Sequence, residues 1–132
     1  MVLRQAEHEY DIVEGWGKHF YSPFVEVTGV DVDEYDRVYI LIRGVDPLLV
    51  FDTHGNLLNC WGREHFSWPH GLHVSEDGFV YCTDGDHTVR KFTADGRLLM
   101  TLGKKNWPSE TGCINKDYRT IKRAAGPFHN PT

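Results

Sequence analysis

Residues His70–Gly103 spell HGLHVSEDGFVYCTDGDHTVRKFTADGRLLMTLG, and the chain has already spelled a version of it from Thr28 to Gly62. At an offset of 42, Gly29 meets Gly71, Val32 meets Val74, Glu34 meets Glu76, Val38 meets Val80 and Tyr39 meets Tyr81. After a one-residue slip, an offset of 41 pairs Phe51 with Phe92, Gly55 with Gly96, Leu57 and Leu58 with Leu98 and Leu99, and Gly62 with Gly103. A strand-rich unit repeating every 40 to 45 residues or so is the signature of a propeller blade. The fold class is therefore all-β, with two four-stranded antiparallel blades over 27–62 and 70–103.

Within each unit the local chemistry divides the strands. Val27 to Asp33 alternates apolar with small or polar residues, as an inner strand between unlike surroundings should. VYILI (Val38 to Ile42) and LLVF (Leu48 to Phe51) are apolar throughout, the pattern of strands covered on both faces. Asp77-Gly78 and Asp95-Gly96 lie between apolar runs and are strong hairpin signals, and Gly55 supplies the same freedom in DTHGN. Residues 1–9 are polar and read equally as a helical or a frayed end. YDIVEGWG, residues 10–17, echoes the ends of both units and predicts an extra outer strand from a blade otherwise outside this chain. Residues 18–26 form a connector.

The segment 104–126 breaks the rhythm with six basic residues and holds the only plausible helix, near Asn115 to Ala125. It reads as an insertion between blades, with a phosphate-binding patch as the competing reading. The chain then reaches Pro131 and Thr132, placed in the repeat where Pro69 and His70 stand, so that 104–132 comprises an insertion and the start of a truncated third blade. All 132 residues make one partial propeller domain.

Composition narrows the function. A net charge of −5 with scattered Lys and Arg argues against a nucleic-acid surface. No apolar run is long enough to span a bilayer, and MVLRQAEHEY has no secretion-signal core, so a cytoplasmic location is expected. Cys60, Cys82 and Cys113 form neither a CxxC nor an even set and read as reduced packing thiols. Repeat units bury their faces only against neighbours, and propellers need about four to eight blades to close a ring. Two blades therefore call for self-association, with a trimer closing six blades favoured and a dimer next.

VRKFTADGRLLMTLG (Val89 to Gly103) and the terminal PFHNPT resemble NHL repeats, and WPHGLHVSEDGFVYCTDGDHTVRKF (Trp68 to Phe92) resembles the propeller of the peptidyl-α-hydroxyglycine α-amidating lyase family. The resemblance covers roughly residues 10–103 and 126–132. It implies a six-bladed propeller whose channel holds zinc through three histidines, with calcium deeper in the channel and an arginine and a tyrosine handling the substrate. By that resemblance His70 is a zinc ligand, Leu72 a calcium contact through its carbonyl, and Arg43 the substrate-handling arginine. The other two histidines and the tyrosine belong to blades outside this sequence, and His129 is out of register with the second ligand position. Three copies closing a ring would bring three His70 side chains toward one axis.

Each residue also has a plainer reading. His70 can simply line the channel, as Thr28 would at the equivalent position. Arg43 can form an ion pair with Asp46 or Asp86. Asp84, Asp86 and His87 are rim residues whose loop lacks the spacing of a twelve-residue calcium loop. Asp31, Asp33 and Asp36 sit beside a turn and read as solvated. Trp16 and Trp61 read as packing anchors between blades. Two functions are expected from these features. One is a partial propeller that self-associates and binds a small molecule or a protein. The other is a zinc lyase assembled across subunits.

Overall fold

The structure, a computed structural model, describes residues 2–5, 8–17, 24 and 26–132. Its strands are β1 (Val2–Gln5), β2 (His8–Asp11), β3 (Val27–Val32), β4 (Val38–Ile42), β5 (Leu48–Phe51), β6 (Leu57–Trp61), β7 (Pro69–Val74), β8 (Val80–Asp84), β9 (Thr88–Phe92) and β10 (Leu98–Leu102). Strands β3 to β6 form one antiparallel meander and β7 to β10 another, each in sequential order. The all-β architecture with two four-stranded sheets is thus the one expected, and it is compatible with propeller blades. Among the described residues, no helix is long and apolar enough to cross a membrane.

The pleat sorts each blade into two faces. Tyr39, Leu41, Leu48 and Val50 point from blade one onto Val74, Val80, Cys82 and Phe92 of blade two, forming one buried core with Trp61, Phe66 and Leu72. The opposite face of blade one, Ile40, Ile42, Leu49 and Phe51, is buried as well, packed with Trp16 and Leu57. Burial holds the Cys82 thiol up at about 12, so it is an inert packing group. The three cysteines are free thiols.

The inner strands β3 and β7 lie side by side. Gly29 permits this, because a Cβ there would come within 2.8 Å of the Leu72 Cβ. Asp31 then ties the two strands. Its Oδ2 accepts from the Val74 amide at 2.7 Å and contacts His73 Nδ1 at 3.1 Å. A close approach recurs at Gly71. A Cβ on Gly71 would meet the carbonyl carbon of Thr132 at 3.2 Å, so the last residue lies against blade two much as Leu72 lies against blade one.

Three expectations need correction. The extra N-terminal strand is present, as expected, but with other bounds: His8–Asp11 pairs with Val2–Gln5, and Glu14–Gly17 is a turn rather than part of an outer strand over 10–17. Every residue of β2 is exposed, so this strand carries no burial pattern to read. Residues 115–125 contain a single 3₁₀ turn, Tyr118–Thr120, in place of the expected helix. Asn115 and Lys116 both have positive φ (52° and 60°), which no α-helix tolerates. Asp33 is not solvated. Its side chain is 4% exposed and binds the Arg37 guanidinium at 2.6 Å. Residues 18–23 and 25 of the expected connector lie outside the described residues.

Candidate functional site

The residues marked out by the sequence lie along the seam between the blades, and local packing explains where each one points. Arg43 leaves the end of β4 half-buried. Its guanidinium lies 4.1 Å over the Trp68 ring, pairs with Glu26 at 3.0 Å, and donates from Nε to the Pro69 carbonyl at 3.4 Å. Neither expected carboxylate is its partner. Asp46 binds Arg63 at 3.0 Å, and Asp86 binds Arg90 at 2.6 Å. Stacking on an aromatic face suits the planar, weakly hydrated guanidinium and leaves its in-plane donors available for anions or carbonyls.

His70 follows Pro69 on β7. Its side chain is exposed and makes no hydrogen bond to any described residue. Arg43 and the strand carrying His70 are therefore brought together through the Pro69 carbonyl. Leu72 is half-buried in the interblade core and pairs with Cys82 across the ladder. Thr28 is half-buried, with Oγ1 3.4 Å from the Leu41 carbonyl.

Asp84 and Asp86 are buried (0% and 3% exposed), unlike residues of an open rim. Asp84 accepts from the backbone amides of Ser67 and Trp68, both at 2.8 Å, and from Asp86 at 3.0 Å. Its Oδ2 also meets Arg90 Nη1 at 3.4 Å. This carboxylate therefore fixes the loop that presents Trp68, on which Arg43 rests. Arg90, Glu26 and Trp68 are the members of this network that the sequence reading missed.

His87 sits half-buried with positive φ (73°) at the tip of the same loop. Its Nδ1 accepts from the Asn130 amide at 3.0 Å, and its ring meets that of His129 edge-on, 5.3 Å between centroids. Desolvation, then the neighbouring His129 and Lys116, lower its pKa below the ordinary 6.5, against an opposing pull from Asp86. The unfolded chain takes up a proton at about 6.5 that folded His87 resists, so stability must fall as pH drops from there through the depressed folded value. Protonation also removes the acceptor for Asn130. We predict that acidification through this window weakens the seating of 127–132 first, seen as faster amide exchange at Asn130. His87→Asn should abolish the effect; unchanged exchange in the wild type would refute it. Asp31 acts later and in the same sense. Burial raises its pKa, but hydrogen bonds from Val74, Val32 and His73 outweigh that and hold it below 3.8, so its contribution is lost only in stronger acid.

A second repeat emerges from the packing. Trp16 lies on Phe51 (5.2 Å between rings) and Trp61 on Phe92 (5.0 Å). Gly17 faces Phe24, Gly62 faces Phe66 and Gly103 faces Phe128. Each of these phenylalanines stands four residues before Thr28, His70 and Thr132 respectively, a spacing present in the sequence that would have revealed the contact. The insertion thus starts and ends at equivalent points of the repeat.

Among the described residues, no group of three or more His, Cys, Asp or Glu could hold a metal ion within one chain. Compared with models of known protein families, the chain matches none.

Proposed function

We propose that this chain is a partial propeller of NHL type that associates with copies of itself and serves as a ligand- or protein-binding module. The observation behind this is an asymmetry between equivalent faces. Tyr39, Leu41, Leu48 and Val50 of blade one are sealed by blade two, whereas their counterparts Tyr81, Thr83, Val89 and Lys91 are only half-buried. Beside them on β10, Met100 and Leu102 are 39% and 45% exposed. A second copy covering this face would bury apolar area at about 25 cal/mol per Å². Thr83 and Lys91, standing where blade one has Leu41 and Val50, make the face partly polar, which fits reversible association better than an obligate interface. A trimer would supply six blades; a dimer is the next arrangement.

Light scattering across a dilution series tests this. The mass should rise with concentration from the 15.2 kDa of one chain toward a multiple of it. Leu102→Glu should return the protein to a folded monomer. A constant single-chain mass at all concentrations overturns the reading.

A second reading, a zinc lyase of the α-amidating type assembled across subunits, is favoured by the placement of His70 and Arg43. The exposed imidazole, with no hydrogen-bond partner among the described residues, follows the residue whose carbonyl Arg43 binds. Catalytic zinc takes about three protein ligands and keeps a position open, so each chain would contribute His70 to a shared site, with Arg43 orienting an anionic substrate group. Bound zinc by elemental analysis, and glyoxylate released with the primary amide from an N-acyl-α-hydroxyglycine and lost in His70→Ala, would support it. Zinc-free protein from zinc-rich medium rules it out.

A further inference from the structure

We propose that the insertion carries a binding cleft of its own for a small organic carboxylate, independent of the assembly proposed above. Residues 104–126 hold six basic residues against two acidic ones, Glu110 and Asp117, in a chain whose net charge is −5. Within this basic segment and the residues that follow it lies a cleft of about 330 Å³. Ile121 and Ala125 give it an apolar wall, Lys116 a cation, and Ser109, His129 and Asn130 its polar side. No carboxylate lines it.

The polar side is incompletely satisfied. Three buried side-chain atoms among the described residues lack a hydrogen-bond partner, and two of them, Ser109 Oγ and Asn130 Oδ1, belong to residues of this cleft. Ser109 is 6% exposed, so its hydroxyl has no compensating access to water. A buried polar atom without a partner costs about 1–3 kcal/mol, and such atoms are few in folded proteins. The His129 ring is fixed beside them. Nδ1 lies 3.2 Å from the Ser109 carbonyl, which can only accept, so Nδ1 carries the proton there, and also 3.2 Å from Thr111 Oγ1. Lys116 forms no ion pair with any described residue and is free to meet an incoming anion.

These features select the ligand's chemistry. An ammonium without an ion-pair partner among the described residues, in a lining with no carboxylate, favours an anion over a cation. The apolar wall favours a ligand with a hydrocarbon or aromatic body, and the volume suits a compact one.

The test uses three isosteric probes on the intact, isotope-labelled protein: benzoate, benzamide and benzylamine. Benzoate should shift the amide resonances of 109–130 saturably in the millimolar range, with benzamide weaker and benzylamine without effect. Lys116→Gln, an exposed position whose substitution leaves the fold intact, should weaken benzoate about tenfold, the worth of one charge-assisted bond. No saturable shift with benzoate, equal shifts from benzylamine, or unchanged benzoate affinity in Lys116→Gln would each overturn the proposal.

Discussion

Replacing Arg90 by alanine is expected to unfold most of the protein under conditions where the wild type is stable. Arg90 is 5% exposed and closes a buried trio, with Asp86 at 2.6 Å and Asp84 at 3.4 Å. Removing the guanidinium strands two carboxylates away from water, a loss of about 3–5 kcal/mol where one partner of a buried pair is deleted. That is a large part of the roughly 5–15 kcal/mol that holds a domain together. Blade one gives a revealing comparison, because Ile42 and Leu49 stand where blade two has Asp84 and Arg90. Buried ion pairs can often be exchanged for apolar residues at little cost. Here the exchange should fail. An Asp84→Ile/Arg90→Leu variant would orphan the amides of Ser67, Trp68 and Asp86, at about 1–3 kcal/mol each when buried without a partner. Urea unfolding of both variants measures this; a double variant as stable as wild type would show that the carboxylate is dispensable to the loop.

Gly96→Ala should be the other severe change, at about 2–4 kcal/mol. Its φ of +94° lies where an L-residue is strained, a cost of about 1–2 kcal/mol. A Cβ would also come within 2.6 Å of the Trp61 ring, and overpacking adds about 1–3 kcal/mol. Gly78→Ala separates the two contributions. That glycine has a φ of +77° and nothing within 4 Å of its Cβ position, so it should lose only the backbone part. Equal losses in the two variants would mean that Trp61 is not seated on the hairpin.

Much of this architecture was legible in the chain. The offset pairs, the alternation of Val27 to Asp33, the apolar runs of β4 and β5 and the Asp-Gly turns specify hairpins through interactions between near neighbours, and near neighbours are visible in a sequence. The same logic misled at Asn115 to Ala125. Helix-compatible composition was overruled by the positive φ of Asn115 and Lys116, which serve the chain's path back toward Thr111. It misled again at Asp33, whose turn position hid its short bond to Arg37.

The candidate site was legible only as a roster. The resemblance to the lyase family picked out His70, Arg43 and Leu72, and the run of Asp and His residues marked the Asp84–His87 loop. Neither could assign their partners. Arg43 reaches Glu26, Trp68 and the Pro69 carbonyl, and His87 reaches Asn130, 43 residues away. Blade order and turn chemistry follow from short-range propensity. Which charge meets which, which face stays open and which hydroxyl is left unpaired depend on how two sheets and an insertion stack, and only the folded chain decides that.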